Sequence, residues 1–118
     1  MQEIKRTTGC GLVNENYINK EICLKGWVQR RRDHGGLIFI DLRDRYGIMQ
    51  LVFNPDYSKE THELAHHLRS EYVIAVCGKV VQRSSETINN EIPTGKYELQ
   101  VNKLVILNKA KALPFMID

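Results

Sequence analysis

LIFIDLRDRYGIMQLVF, residues 37–53, reads as two strands folded back on a tight turn. Its first half sets Ile38, Ile40 and Leu42 on one face and Leu37, Phe39, Asp41 and Arg43 on the other, the period-two alternation of a strand with one buried side. Phe39 then shares a face with two charges, outside the core. Asp44-Arg45-Tyr46-Gly47 closes the hairpin on a glycine. Beyond it, Met49, Leu51 and Phe53 form the inward set and Ile48, Gln50 and Val52 the outward one.

The same alternation extends in both directions. Glu21 to Arg30 (EICLKGWVQR) turns Ile22, Leu24 and Val28 inward and Lys25, Trp27 and Gln29 outward, with Gly26 at a bend. Asn54-Pro55-Asp56 ends the sheet, and Ser58, Thr61 and Glu63 open a helix to about Arg69 whose apolar stripe is Leu64, Ala65 and Leu68. Tyr72 to Arg83 (YVIAVCGKVVQR) is a long apolar strand bent at Gly78, as expected when both faces are covered or the strand curves around a barrel. Ser84 to Lys96 is a polar hairpin loop of the length usually kept for function. In the last strand Tyr97, Leu99 and Val101 change phase to Leu104 and Ile106, which predicts a bulge near Asn102-Lys103. The sum is an all-β fold of five strands with one short helix between strands 3 and 4. That pattern matches the five-stranded Greek-key barrel called the OB-fold; an SH3-like barrel competes, and the helix position favours the former.

The 118 residues, 42% hydrophobic and 26% charged, fit one domain whose core needs no staple. No apolar run reaches the ~18 residues of a membrane span, and Met1 to Gly11 lacks the apolar stretch of a signal peptide, so the expected compartment is the cytoplasm with no membrane partner. Cys10, Cys23 and Cys77 are odd in number and widely spaced, and are expected as core thiols rather than a disulfide framework or a zinc site. A net charge of +3 does not by itself argue for a polyanion.

His62-Glu63-Leu64-Ala65-His66 spells H-E-x-x-H on the expected helix, the spacing of a zinc hydrolase. A third protein ligand is missing downstream, and both imidazoles fall on the solvated side opposite Leu64 and Leu68, so no metal is expected. Walker and G-x-G-x-x-G loops are absent, the serines sit in no nucleophile elbow, and Asp41 and Asp44 lie among Arg43 and Arg45 as surface ion pairs. No catalytic residues are expected.

Gln29 to Phe39 (QRRRDHGGLIF) is different, because Arg30, Arg31 and Arg32 end one strand where the outward Phe39 begins the next. Guanidinium groups neutralise phosphates and rings stack on unpaired bases, the two requirements of single-stranded nucleic acid. On an OB-fold the strand 2–3 face and the loops joining strands 1–2 and 4–5 form the oligonucleotide surface. Here they carry Arg32 to Gly36, Phe39, Gln50 and Ser84 to Lys96.

These residues resemble the N-terminal anticodon-binding domain of the bacterial-type aspartyl-tRNA synthetase family. The likeness runs through Gly26-Trp27-Val28, Arg30-Arg31-Arg32-Asp33, Ile38 to Arg45, Gly47, Gln50 and Val52, with the Cys10-Gly11 start, the Thr94-Gly95 turn and the Asn108-Lys109-Ala110 exit. It implies that Phe39 stacks on the central anticodon uracil, that Gln50 hydrogen-bonds it, and that Arg32, Glu98 and Asn89 contact the anticodon; the run of like charge itself, Arg30 and Arg31 with Arg32, is expected to contact backbone phosphates. His34 resembles the residue of family members that accept asparagine tRNA as well as aspartate tRNA. The resemblance also implies an OB-fold domain over residues 1–108 and, over 109–118, the start of a hinge toward a catalytic domain that this chain lacks. The parent would be a homodimeric class II ligase using ATP and Mg²⁺, while this domain needs no cofactor. A free-standing single-strand-binding OB module is the alternative with the same surface.

Overall fold

The computed structural model describes residues 6–109, so the hinge expected at 109–118 lies, apart from Lys109, outside the described residues. Strands β1 (Glu21–His34), β2 (Leu37–Asp44), β3 (Gly47–Phe53), β4 (Val73–Gln82) and β5 (Tyr97–Asn108) close a barrel in the order β1-β2-β3-β5-β4, with helix α1 (Lys59–Ala65) between β3 and β4. All pairings are antiparallel except β3 with β5, which run parallel through Gln50↔Glu98, Leu51↔Leu99 and Val52↔Gln100. The expected five-stranded OB barrel is the observed one.

The inward sets read from alternation are the core: Ile22, Leu24, Val28, Ile38, Ile40, Leu42, Met49, Leu51 and Phe53 are all buried in one cluster. Phe39 lies outside that cluster and is half-buried. The phase change in β5 is a bulge at Asn102, since Cys77 faces Lys103 and Gly78 faces Val101.

Several expectations are corrected. β1 does not stop at Arg30; Arg30 to His34 pair with Asp41 to Leu37, so the arginine run lies inside a ladder. A bulge at Gln29 precedes it, with Val28 opposite Leu42 and Arg30 opposite Asp41. Trp27 does point away from the main core, but it is buried with Val73 in a small cluster of its own on the β1–β4 side. The helix is shorter than expected, ending at Ala65; its buried residues are Thr61 and Ala65, Leu68 is buried in the stretch beyond it, and Leu64 is 38% exposed. Ser58 caps it by accepting from the Thr61 N–H, and the Thr61 hydroxyl donates onward to the Asn102 carbonyl, fixing α1 to the β5 bulge. Asp44 is buried and accepts the backbone N–H groups of Cys10 and Tyr46, a turn-building role rather than a surface ion pair.

The cysteine expectation also fails for two of the three residues. Cys23 and Cys77 are direct cross-strand partners of β1 and β4 and form a disulfide. Their separation of 54 residues gave no hint of this, because the register between two strands distant in sequence but neighbours in the barrel decides it. Cys10 is a buried free thiol, as expected, and burial together with Asp44 pushes its pKa well up.

Gly78 shows why the long strands carry glycine. A Cβ there would stand 2.2 Å from the Gln100 carbonyl oxygen, across the bulge. Backbone cannot yield as a flexible side chain can, so Gly78→Ala should lower the unfolding free energy by about 1–3 kcal/mol in urea titration. An unchanged midpoint would mean that β4 and β5 do not approach so closely.

Candidate nucleic-acid interface

The bulge at Gln29 reverses the facing of every β1 residue after it. Up to Val28 even-numbered residues point inward; beyond the bulge Arg30, Arg32 and His34 share the outward face with Leu37, Phe39 and Asp41 of β2. Arg32 lies directly opposite Phe39, its guanidinium carbon 5.7 Å from the ring centroid. A cation over a ring face leaves the opposite face as a stacking platform.

Gln50 reaches the same place from β3. Arg32 Nη2 donates to Gln50 Oε1 at 3.1 Å, and Gln50 Nε2 donates to Glu98 Oε1 at 3.2 Å. The second contact exists because the parallel β3–β5 pairing sets Gln50 beside Glu98. A donor on one side and an acceptor on the other settle the amide's orientation. The outward set of β3 is less open than expected, for Gln50 and Val52 are both buried, and Gln50 forms the floor of a cleft rather than a surface point.

That cleft, about 850 Å³, brings together Arg30, Arg32, His34, Phe39, Gln50 and Asn89 of the expected site residues. Glu98 borders it through its bond to Gln50. Arg31 does not join them. Pointing the other way, it forms an ion pair with Asp33 at 2.9 Å and donates to the carbonyl oxygens of His66 and Leu68 at 3.0 Å each. The hydrogen bond from Arg31, with its charge, holds the Asp33 carboxyl below the usual range. Arg31 thus caps the end of α1 with charge, a favourable place for a cation.

The 4–5 loop forms the far wall with Glu86, Thr87, Ile88, Asn89 and Ile92. Arg83 organises it and was not singled out from the sequence, where it reads as the polar end of an apolar strand. Its Nε donates to the Tyr97 carbonyl at 2.8 Å and its Nη1 to the Thr87 carbonyl at 3.1 Å, and it is only 8% exposed. Thr94 anchors the loop's return, its buried hydroxyl donating to the Ile48 carbonyl. An Arg one residue before a serine-rich loop, with a Glu on the next strand, is the signal that was available.

His62 and His66 stand edge to face at 4.9 Å, and His62 Nε2 donates to the Gly36 carbonyl at 2.8 Å. Among the described residues no group of three or more His, Cys, Asp or Glu is placed to hold a metal ion, and no helix is long and apolar enough to cross a membrane.

Burial raises the pKa of Glu98 above its ordinary 4.5, opposed by the charge of Arg83 and the hydrogen bond from Gln50. Burial likewise lowers that of Arg83, which stays a cation. A carboxyl whose folded pKa is raised binds more protons folded than unfolded, so its contribution favours folding below the ordinary value and is lost as pH rises through the folded one. Glu98→Gln removes that slope. Measured by denaturation from about pH 4 to pH 7, the variant's stability relative to the parent chain should climb across the window just above 4.5. A pH-independent difference would contradict the burial of this carboxylate.

Comparison with known proteins places these features in company. The profile described as an OB-fold nucleic acid binding domain, of the tRNA anti-codon group, matches residues 22–107. The chain is similar to the aspartate-tRNA ligases of Macrococcus caseolyticus, at 61% identity over 113 residues, and Enterococcus faecalis, at 58% over 114. These matches cover 96% and 97% of the chain but 19% of each relative, so the chain spans about a fifth of their length. Among solved structures, the asparaginyl-tRNA synthetase of Pyrococcus horikoshii superposes with a TM-score of 0.74 at 29% identity, over 95% of this chain and 24% of that one. An OBody bound to hen egg-white lysozyme gives 0.80 at 21% identity, over 93% and 100%, a likeness of fold alone.

Proposed function

The chain belongs to the tRNA anti-codon family of OB-fold nucleic acid binding domains, and we propose that it reads the anticodon of aspartate tRNA as the N-terminal domain of an aspartate-tRNA ligase. The observation that carries this reading is the convergence of Arg32, Phe39 and Gln50 in one cleft, with the chain of hydrogen bonds from Arg32 through Gln50 to Glu98 at its border.

The chemistry suits an unstacked uracil. Phe39 gives the base a face, worth about 1–3 kcal/mol by truncation. Gln50, held between Arg32 and Glu98, keeps one acceptor lone pair and one N–H for a base edge; uracil's N3–H donor and its carbonyl acceptor match them. Cytosine presents an acceptor at N3 and a donor at N4, so the fixed amide would meet like with like. Fixing by the two charged neighbours matters, since a free amide would flip to accommodate either base.

Arg30 and Arg32 on the cleft wall serve the phosphates, each neutralised contact steepening the salt dependence of log affinity by about 0.7 for a single strand. Arg31, occupied behind the sheet, serves the fold. Asn89 and Glu98 take the bases flanking the centre. His34, exposed at the tip of the β1–β2 hairpin, is where acceptance of asparagine tRNA beside aspartate tRNA would be decided.

Residues 1–108 form the anticodon domain in this reading and 109–118 begin the hinge. The parent is then a homodimeric class II ligase of the cytoplasm that joins aspartate to its tRNA, with ATP and Mg²⁺ serving its catalytic domain. Catalysis belongs to that domain, and binding to this one.

Stacking and edge recognition separate by mutation. Phe39→Ala should weaken binding of anticodon stem-loops with U, C, A or G at the centre alike, by about 5- to 150-fold for 1–3 kcal/mol. Gln50→Ala should mainly narrow the gap between U and the others. If Phe39→Ala leaves affinity unchanged, or Gln50→Ala leaves the preference for U intact, the proposed reading fails.

A further inference from the structure

The cleft's front wall stands on a weak support. Asp33, His34, Gly35 and Gly36 are all exposed, and a Cβ on either glycine would meet nothing within 4 Å. Gly35 and Gly36 take φ of +58° and +83°, a turn that only glycine adopts readily. β3 supports β2 as far as Ile38, including Phe39, but β4 leaves β1 at Trp27, so Arg32 and His34 lie on a strand whose other edge has no neighbouring strand among the described residues, and such an edge is weakly held in water.

Helix α1 braces it from behind, at two points. Arg31 ties the β1 strand to the carbonyls of His66 and Leu68, and His62 Nε2 holds the Gly36 carbonyl at 2.8 Å at the very tip. Gly36 offers only an acceptor there, so Nε2 carries the proton. The edge-to-face contact with His66 restricts the His62 ring, and Ala65 and Leu68 anchor the helix in the core.

We propose that His62 is a positioning residue for RNA recognition: its hydrogen bond to Gly36 fixes the β1–β2 hairpin tip so that Arg32 and His34 meet the RNA already in place beside Phe39. The H-E-x-x-H spacing then has a use that involves no metal, with one histidine clasping the hairpin and the other seating the first. The inference rests on the anticodon-binding reading for its RNA readout and on the clasp alone for its structural one. The contribution is to ordering: without the clasp the tip samples other positions, and binding has to select the competent one.

The test compares the parent chain with His62→Ala, His62→Gln and Glu63→Ala in three measurements: affinity for an aspartate anticodon stem-loop, thermal midpoint, and hydrogen exchange of the Gly36 and Leu37 amides. Glutamine places an amide N–H near the position of Nε2 and restores the donor; Glu63 lies on the exposed side of the helix and serves as control. His62→Ala should bind about three- to tenfold more weakly, the range of one ordinary hydrogen bond, with faster exchange at the tip and the midpoint little changed. His62→Gln should recover most of both, and Glu63→Ala should match the parent. Unchanged exchange at the tip in His62→Ala overturns the proposal, as does an affinity loss that follows the thermal midpoint and is not restored by glutamine. A parent chain that does not bind the stem-loop would refute the anticodon reading instead, and exchange at the tip would still decide whether His62 holds the hairpin.

Discussion

The cationic wall of the cleft exists because β1 carries one residue more than β2 between Val28 and Arg30. In unbroken register Arg30, Arg32 and His34 would follow Val28 into the core, where unpaired charge costs several kcal/mol. The extra residue, Gln29, turns them outward and sends Arg31 inward to the carbonyls at the end of α1. One β-bulge therefore separates two functions along three consecutive arginines, with those on the cleft side available to an anion and the one behind it holding helix to strand.

A second constraint acts from the opposite side of the barrel. Three residue pairs of parallel β3–β5 ladder close the sheet, and they set Gln50 beside Glu98. Glu98 is partly buried there, at a cost that raises its pKa, and it is kept in place by the Arg83 charge and the Gln50 amide. The Gln50 amide is thus oriented by a carboxylate whose charged form burial disfavours. Arg83 links this pair to the 4–5 loop through the Tyr97 and Thr87 carbonyls, so loop position and charge balance are coupled through one guanidinium.

Alternation made the barrel legible because β2 and the first part of β1 each have one more open and one dry face, and because β3 alternates in residue type although both of its faces are largely covered. It placed Phe39 outside the core and located the bulge at Asn102, since a phase change within a single strand is visible in that strand's own residues. It missed the bulge at Gln29, because the residues beyond it are all polar and polar residues show no phase. It also missed the Cys23–Cys77 disulfide and the burial of Trp27 with Val73, both of which depend on how β1 meets β4, some fifty residues away. Of the expected stripe Ala65 and Leu68 are buried and Leu64 is not; Thr61 is buried in its stead as a hydrogen-bonded polar residue, a choice the tertiary contact with Asn102 dictates. Arg83 was passed over for the same reason: its partners are backbone carbonyls, which leave no mark in a sequence.

These relations fix the ring of Phe39, the cation of Arg32 and the amide of Gln50 relative to one another, and under the proposed function the cleft is a site assembled before its ligand arrives. A crystal structure of the chain bound to an aspartate anticodon stem-loop tests that claim most directly. The account predicts the central base stacked on Phe39 with its polar edge on Gln50, and the Arg32–Gln50–Glu98 chain retained as it stands here. RNA seated on another face of the barrel, or a base in the cleft reached only by breaking that chain, would contradict it.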